Sequence, residues 1–285
     1  MVLISELATT DASASYPAIL DGVQSWRPNV ARMSDYYAGG KDNFAADREA
    51  ARRVLAVAPD APLAARENRA FLVRAIHFLV ERAHIAQFID IGPGLPTVTN
   101  IHHVAHRFDP GARVVYVDND PVVLSHGQAL LARQHPAVAM VEGDLREPGK
   151  ILAHPRLRAL IDLGQPAGLC LTLVLHYLPD SDHPGELVAQ LLDRLAPGSY
   201  LVLSHATGDS KPARVADQIT RIYDQASAPL VMRSRDEIMS FFTGCTMVPP
   251  GLVYAAQWHR QAGAVAHRSG GTGWTHGGIG MKQRP

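Results

Sequence analysis

The amino-acid sequence predicts an α/β protein whose mostly parallel sheet is covered by helices on both faces. Short apolar runs of strand length alternate with helix-like segments through the middle of the chain. Strands buried on both faces are apolar along their whole length, so this alternation is typical of a parallel sheet. A second observation is FIDIGPGLPT at 88–97, where an apolar strand ends in an acid and breaks into a glycine-rich turn. A third is VVYVDND at 114–120, a second apolar strand that also ends in an acid.

The first part of the chain predicts an arm followed by a helical cap. Residues 1–25 show little periodicity and suggest a loose N-terminal arm, whereas 26–84 predict a helical cap or lid. The cap begins with WRPNVARMSDYYAGGKDNF, which is unusually dense in aromatic, charged and glycine residues for a core helix. Two helices are expected at 47–57 and 63–82, separated by a proline-rich turn.

Residues 85–260 predict the sheet domain, and 261–285 a glycine-rich tail. The expected strands are 86–91, 113–117, 138–141, 167–173 and 200–204, and the expected helices include 121–133, 184–195 and 211–225. Ser234 and Glu237 have the spacing of a capping box, which predicts a further helix start. Two late strand signals, 245–248 and 252–256, flank a Pro-Pro-Gly turn and predict a C-terminal antiparallel hairpin.

Composition excludes several classes of function. The chain has 285 residues, of which 47% are apolar, and its 27 basic residues balance its 27 acidic ones. Nucleic-acid binders usually carry a basic excess, so no nucleic-acid partner is expected. No apolar run approaches the ~18 residues of a membrane span, and the N-terminus lacks a signal-peptide layout. We therefore expect a cytoplasmic protein without a membrane partner.

A metal site is not expected. Cys170 and Cys245 are the only cysteines, too few for a cysteine-based zinc site or a disulfide scaffold. His102 and His106 are four residues apart and share a helical face, but no cysteine or His-Glu signature accompanies them in the sequence.

The glycine turn and the acids that end successive strands favour a cofactor that contains adenosine. Gly92 and Gly94 let the backbone approach a ligand closely, and Asp118 is placed to accept hydrogen bonds from ribose hydroxyls. The pattern is G-x-G-x-x-T, without the last glycine of the dinucleotide fingerprint. Asp90 would repel a pyrophosphate but suits the ammonium of a methionine group. Asp144 ends the third strand, where it could accept a hydrogen bond from the adenine amine.

These motifs give the chain a resemblance to class I S-adenosylmethionine-dependent methyltransferases. More narrowly, it is similar to a bacterial family of such proteins whose substrates are largely unassigned. The resemblance rests on these stretches: RPNVARMSDYYAGGKDNFAADREA, ARENRAFLVRA, FIDIGPGLPT, VVYVDNDPVVL, EGDLREP and LAPGSYLVLSH. It implies a Rossmann-like class I methyltransferase fold with an N-terminal helical cap.

The resemblance also assigns cofactor contacts. It implies that Gly92 and Gly94 face the methionine part of the cofactor and that Asp118 binds the ribose. Pro93, between the glycines, departs from the small or polar residue common in the family, yet a rigid turn should still expose its backbone groups. The remaining implied contacts are those with the adenine, from Asn119, Asp144 and Leu145.

The N-terminal cap and two strand ends supply further candidates. The planar guanidinium of Arg32 could pair with the methionine carboxylate. Tyr36 and Tyr37 could shape a methyl-transfer channel or contact the sulfonium. The alternative is that this block only packs on the domain, and Asn68 and Arg69 are open to the same two interpretations.

For a general base, His176 is the first candidate and His205 the second, since each follows an apolar strand. Either histidine could instead have a packing role.

The sequence thus predicts an S-adenosylmethionine-dependent methyltransferase that acts on a small-molecule acceptor and releases S-adenosylhomocysteine. One alternative is a non-catalytic S-adenosylmethionine-binding or regulatory protein. A less favoured one is an NAD-dependent dehydrogenase. A homodimer is an option that the sequence leaves open.

Overall fold

The computed structural model describes residues 23–97, 99–130, 135–259 and 271–283 of the chain. The helices there are α1 Val30–Ala38, α2 Ala45–Val57, α3 Ala61–Glu81, α4 Ile101–Ala105, α5 Pro121–Leu130, α6 Pro148–Ala153, α7 Pro155–Leu160, α8 Pro184–Asp193, α9 Ala213–Tyr223 and α10 Arg235–Ser240. The strands are β1 Gln87–Ile91, β2 Arg113–Asp118, β3 Val138–Glu142, β4 Gly168–Thr172, β5 Tyr200–Ala206, β6 Cys245–Met247, β7 Val253–Tyr254 and β8 Thr275–Lys282. The predicted arm at 1–25 lies almost wholly outside the described residues.

Five parallel strands form the body of the sheet, in the order β3–β2–β1–β4–β5. Beside β1 the strand order reverses, because the chain runs outward through β2 and β3 and then crosses to β4. The register pairs Asp90 of β1 with Tyr116 of β2 and with Cys170 of β4. Loops that leave neighbouring strands in opposite directions open a crevice, which is where open α/β sheets bind ligands. The prediction of a mostly parallel, Rossmann-like sheet is confirmed.

Apolar side chains cover both faces of the sheet. Neighbouring residues of a strand point to opposite faces. Ile89 accordingly packs in a cluster with residues of α6, α7, α8 and α10, whereas Phe88 packs with residues of α3, α4 and α5. This two-sided burial is the reason that the parallel strands have continuous apolar sequences.

The C-terminal strands are antiparallel, but their pairing differs from the predicted hairpin. The segments at 245–248 and 252–256 do contain β6 and β7, yet each pairs with β8 rather than with the other. β8 also pairs with β5, and it therefore lies inside the sheet although it belongs to the predicted glycine-rich tail. Its glycines fit close neighbours: a Cβ added at Gly277 would lie 3.1 Å from the Phe71 ring.

The predicted cap begins with α1 and α2, which pack with α9 in a third apolar cluster that includes Met33, Tyr37 and Ile222. The Asn29 side chain accepts hydrogen bonds from the first backbone N–H groups of α1 and so fixes its start. Gly39, in the left-handed conformation with φ 82°, ends this helix. Asn29 and Gly39 therefore fix the two ends of α1.

Two kinds of feature are absent from the described ranges of the chain. No helix there is long and apolar enough to cross a membrane. No group of three or more histidine, cysteine, aspartate or glutamate side chains there is arranged to hold a metal ion.

Candidate active site

A cavity of about 660 Å³ opens at the carboxyl edge of the sheet, beneath α1 and the first turns of α3. The loops after β1, β2, β3 and β4 converge there, because parallel strands end at the same edge. The volume is within the ~300–1,000 Å³ typical of small-molecule sites. The lining residues used below are Ser34, Ala65, Asn68, Arg69, Asp90, Gly92, Pro93, Gly94, Asp118, Asn119, Asp144, Leu145 and Tyr177.

The glycine turn after β1 presents backbone to the cavity. Gly92 and Gly94 both have positive φ, at 71° and 67°, a conformation that side chains with a Cβ rarely adopt. A Cβ on Gly92 would lie 2.4 Å from Cγ2 of Val174, so the turn packs directly against the loop after β4. A Cβ on Gly94 would meet nothing within 4 Å. The peptide at Gly94 is therefore open to a ligand.

Asp118 is buried at the end of β2 and is held by backbone donors. Its carboxylate accepts hydrogen bonds from the N–H of Asp120 at 3.0 Å and from the N–H of Gly94 at 3.3 Å. Burial raises the pKa of Asp118 to about 6, against the effect of these hydrogen bonds. The carboxylate is thus fixed against the glycine turn and retains lone pairs for hydroxyl donors.

Asp90 is the most deeply buried acid of the site, with 4% of its surface exposed. Its Oδ1 atom has no hydrogen-bond partner among the described residues. Burial raises the pKa of Asp90 to about 7, although the nearby positive charge of Arg69 acts in the opposite direction. A buried carboxylate oxygen without a partner is costly unless a ligand donates to it.

Asn119 and Asp144 are joined across two loops. The Nδ2 of Asn119 donates to Oδ2 of Asp144 at 3.0 Å, and Arg146 binds the same carboxylate through its backbone and side chain. Burial alone would raise the pKa of Asp144, but these donors hold it below its ordinary value. Leu145 is buried beside them. Together these residues form a polar rim with an apolar base.

Arg32 lies outside this cavity, which corrects the prediction that it pairs with a cofactor carboxylate. Its Nε donates to Oδ2 of Asp47 at 2.7 Å, and its Nη2 donates to two backbone carbonyl groups. The side chain is buried in the cap and its donors are used for holding α1 and α2 together. Arg69 on α3 is one of the arginines that do line the cavity.

The two candidate histidines lie behind the cavity wall. His176 is buried, and its Nδ1 accepts the backbone N–H of Ala206 at 3.3 Å. His205 is also buried and contacts Arg233, with 3.0 Å between its Nε2 and a guanidinium nitrogen. Burial lowers the pKa of both histidines, that of His205 to about 4. Neither of them is among the described residues that line the cavity.

The tyrosine at the cavity is Tyr177 rather than Tyr36 or Tyr37. Tyr37 is buried in the cap, with its hydroxyl 3.4 Å from that of Tyr223, and Tyr36 packs against the same apolar cluster. Tyr177 lines the cavity and stacks on Tyr223, with ring centroids 6.2 Å apart. Tyr177 directly follows His176 in the sequence. The end of the fourth strand, which suggests His176 as a functional residue, is therefore also the signal for Tyr177.

Arg233 holds the segment that carries Tyr177. Its guanidinium donates to the carbonyl groups of Leu175 and Leu178, on either side of the tyrosine. It also forms an ion pair of 2.6 Å with Asp180. Sequence reasoning did not identify this role, since Arg233 is 56 positions beyond Tyr177 in the chain.

The sheet order, the glycine turn and the acids that end β1 and β2 define a Rossmann-like protein of the methyltransferase class. The chain belongs to the family described as S-adenosyl methyltransferase, which it matches over residues 18–283. The predicted family resemblance is thereby confirmed, and the protein is a methyltransferase enzyme by family.

Two crystal structures resemble the chain over nearly its whole length. A DUF574 family protein from Streptomyces avermitilis is 36% identical with a TM-score of 0.86, over 90% of this chain and 98% of that one. A proposed methyltransferase from Thermobifida fusca is 39% identical with the same TM-score, over 96% and 100%. The CMeT domain of citrinin polyketide synthase shares the fold alone, at 12% identity and a TM-score of 0.55, over 89% of this chain and 60% of that one. A comparison with curated proteins gave no match.

Proposed function

We propose that the protein binds S-adenosylmethionine in this cavity and transfers its methyl group to a small-molecule acceptor. The observation that carries the proposal is the arrangement of Asp90, Asp118 and Asp144, which surround one cavity beside an open glycine peptide. The methionine, ribose and adenine parts of the cofactor each have complementary residues in the cavity lining. This match favours S-adenosylmethionine over NAD, because a buried acid beside the turn would repel a pyrophosphate.

The methionine end fits Asp90 and Arg69. The unpartnered Oδ1 of Asp90 suits an ammonium group, since an ammonium carries N–H donors and a positive charge. Arg69 lines the same cavity, and its only hydrogen bond among the described residues is a long one, 3.4 Å, to the carbonyl group of Thr99. A methionine carboxylate would therefore find a guanidinium that is not engaged in an ion pair.

The nucleoside end fits the next two loops. Asp118 would accept hydrogen bonds from the ribose hydroxyls while its backbone donors keep the carboxylate oriented. Asn119, Asp144 and Leu145 would contact the adenine, with the Asn119–Asp144 hydrogen bond fixing the polar edge.

The residues that line the cavity contribute to methyl transfer by aligning the two reactants. S-adenosylmethionine supplies a methyl group on a sulfonium: a lone pair of the acceptor bonds to the methyl carbon, the C–S pair returns to sulfur, and S-adenosylhomocysteine leaves. Holding two reactants in line contributes roughly 7–11 kcal/mol to such reactions. Helices α1 and α3 cover the site, so that it is a cavity rather than an open face. This enclosure favours a small acceptor over a macromolecule.

The proposal is tested by isothermal calorimetry with S-adenosylhomocysteine and with NAD. We expect S-adenosylhomocysteine to bind and NAD to fail. Asp118→Ala should weaken binding by about ten- to a hundredfold, because a hydrogen bond to a charged group contributes about 1.5–3 kcal/mol. Asp217→Ala, at an exposed position of α9, is the matched control and should bind normally. Binding of NAD alone, or equal affinity in both variants, would refute the proposed site.

A further inference from the structure

Asn68 carries a second buried oxygen at the cavity that has no partner. The residue lines the cavity from α3 and is 9% exposed. Its Oδ1 atom has no hydrogen-bond partner among the described residues. Buried side-chain oxygens without any partner are uncommon in folded proteins, so an N–H or O–H donor from a ligand is the natural complement.

The position of Asn68 on α3 separates it from the methionine end of the cavity. Ala64, four residues earlier, is buried in the apolar cluster against which Tyr177 packs. Arg69, the next residue, is rotated by about 100° around the helix axis and reaches the carbonyl group of Thr99, which follows the glycine turn in the chain. Since residues one turn apart share a face, Asn68 lies on the Tyr177 side.

Two hydroxyl groups accompany Asn68 on that side. Ser34 of α1 and Tyr177 both line the cavity, each with a side-chain hydroxyl group. Burial keeps the pKa of Tyr177 well above its ordinary value, so its hydroxyl stays protonated at neutral pH. The tyrosine can therefore orient a polar group but does not act as a base.

We propose that Asn68, Ser34 and Tyr177 form the subsite for the methyl acceptor, and that Asn68 is its positioning residue. This inference rests on the proposed methyl-transfer function. The amide oxygen of Asn68 accepts a hydrogen bond from an N–H or O–H group of the acceptor. The acceptor is accordingly a small molecule that carries an amine or hydroxyl donor beside an apolar body, which Ala65 and the Tyr177 ring contact. Asn68 takes no proton, and the proton that the acceptor loses goes to water.

The subsite is tested with matched fragments on protein saturated with S-adenosylhomocysteine. Ligand-observed NMR compares phenol and aniline, which carry donors, with anisole, which has none. We expect wild-type protein to bind phenol or aniline about fivefold more tightly than anisole, the ratio given by one ordinary hydrogen bond. Asn68→Leu should abolish this preference, and Asn68→Ala serves as a second variant of smaller volume. Gln165→Leu removes an exposed amide far from the cavity and should leave the preference intact.

The outcomes separate the subsite from the cofactor site. Normal affinity for S-adenosylhomocysteine in Asn68→Leu, together with loss of the donor preference, supports the proposal. A more than tenfold loss of that affinity in a folded variant would assign Asn68 to the cofactor ammonium and overturn it. Equal fragment preference in the variant and in wild type, or no preference in wild type, would also overturn it. Failure of wild type to bind S-adenosylhomocysteine would instead refute the proposed function.

Discussion

Replacing Asp90 with asparagine should stabilise the unliganded protein at pH 8 and much less at pH 5. The pKa of Asp90 is raised from an ordinary 3.8 to about 7, so the folded protein holds this proton more tightly than the unfolded chain does. The resulting stabilisation is present below the unfolded pKa and is lost as pH rises through the folded one. Asparagine does not ionise and does not incur this loss.

The size of this change in stability follows from the linkage between protonation of Asp90 and folding. One pKa unit corresponds to 1.36 kcal/mol, so a shift of roughly three units makes ionised Asp90 cost about 4 kcal/mol at pH 8. At pH 5 only the unfolded chain is ionised, and the cost is about 1.5 kcal/mol. The difference in the free energy of unfolding between Asp90→Asn and wild type should therefore grow by about 3 kcal/mol from pH 5 to pH 8.

The assay is urea unfolding of both proteins at several pH values in the absence of ligand. The quantity to compare is the change with pH, because packing effects of the substitution are the same at each pH. Calorimetry should also show that Asp90→Asn binds S-adenosylhomocysteine more weakly than wild type does. A constant difference in unfolding free energy between pH 5 and pH 8 would refute the assignment of a buried, uncompensated carboxylate to Asp90.

Three further mutational tests address other parts of the structure. Arg69→Leu should weaken S-adenosylhomocysteine binding by about tenfold or more but leave adenosine binding unchanged, as measured by calorimetry; equal losses for both ligands would exclude a carboxylate contact. Asp47→Ala should lower the free energy of unfolding by about 3–5 kcal/mol because it leaves Arg32 buried without its partner, whereas Glu49→Gln, in an exposed ion pair, should change it little. Gly92→Ala should lower the melting temperature more than Gly94→Ala does, since both have positive φ but only the first brings a Cβ against Val174; a reversed order would contradict the packing of the turn.

The parallel strands could be predicted because burial on both faces gives them a local sequence signal. The sequence also located the strand ends, the glycine turn and the acids that line the cavity. β8 was not predicted as a strand, because Gly277, Gly278 and Gly280 have low strand propensity. Its position depends on tertiary contacts: a Cβ at Gly280 would lie 2.8 Å from Phe242 and Cys245. Small residues are required there by neighbours that are distant in sequence.

In the site, too, some residues could be located from the local sequence, whereas others depend on contacts between distant parts of the chain. Asp118 and Gly94 follow strands and could be located from the sequence alone. Arg32 and Arg69 are both plausible partners for a carboxylate, and only the burial of Asp47 beside Arg32 distinguishes them. His176 likewise follows β4, but the turn after that strand directs the next side chain, Tyr177, into the cavity. Such choices depend on the direction of side chains, which the spacing of residues does not specify.

The position of β8 between β5 and β6 has a consequence for biosynthesis. Because β5 and β6 both pair with a strand formed by residues 275–282, neither of those pairings exists until that later segment has left the ribosome. Until then β5 presents an unpaired apolar edge, which is a template for association with other chains. Folding of the sheet is therefore expected to wait for β8, and deletion of residues 275–282 should cause aggregation rather than a modest loss of stability.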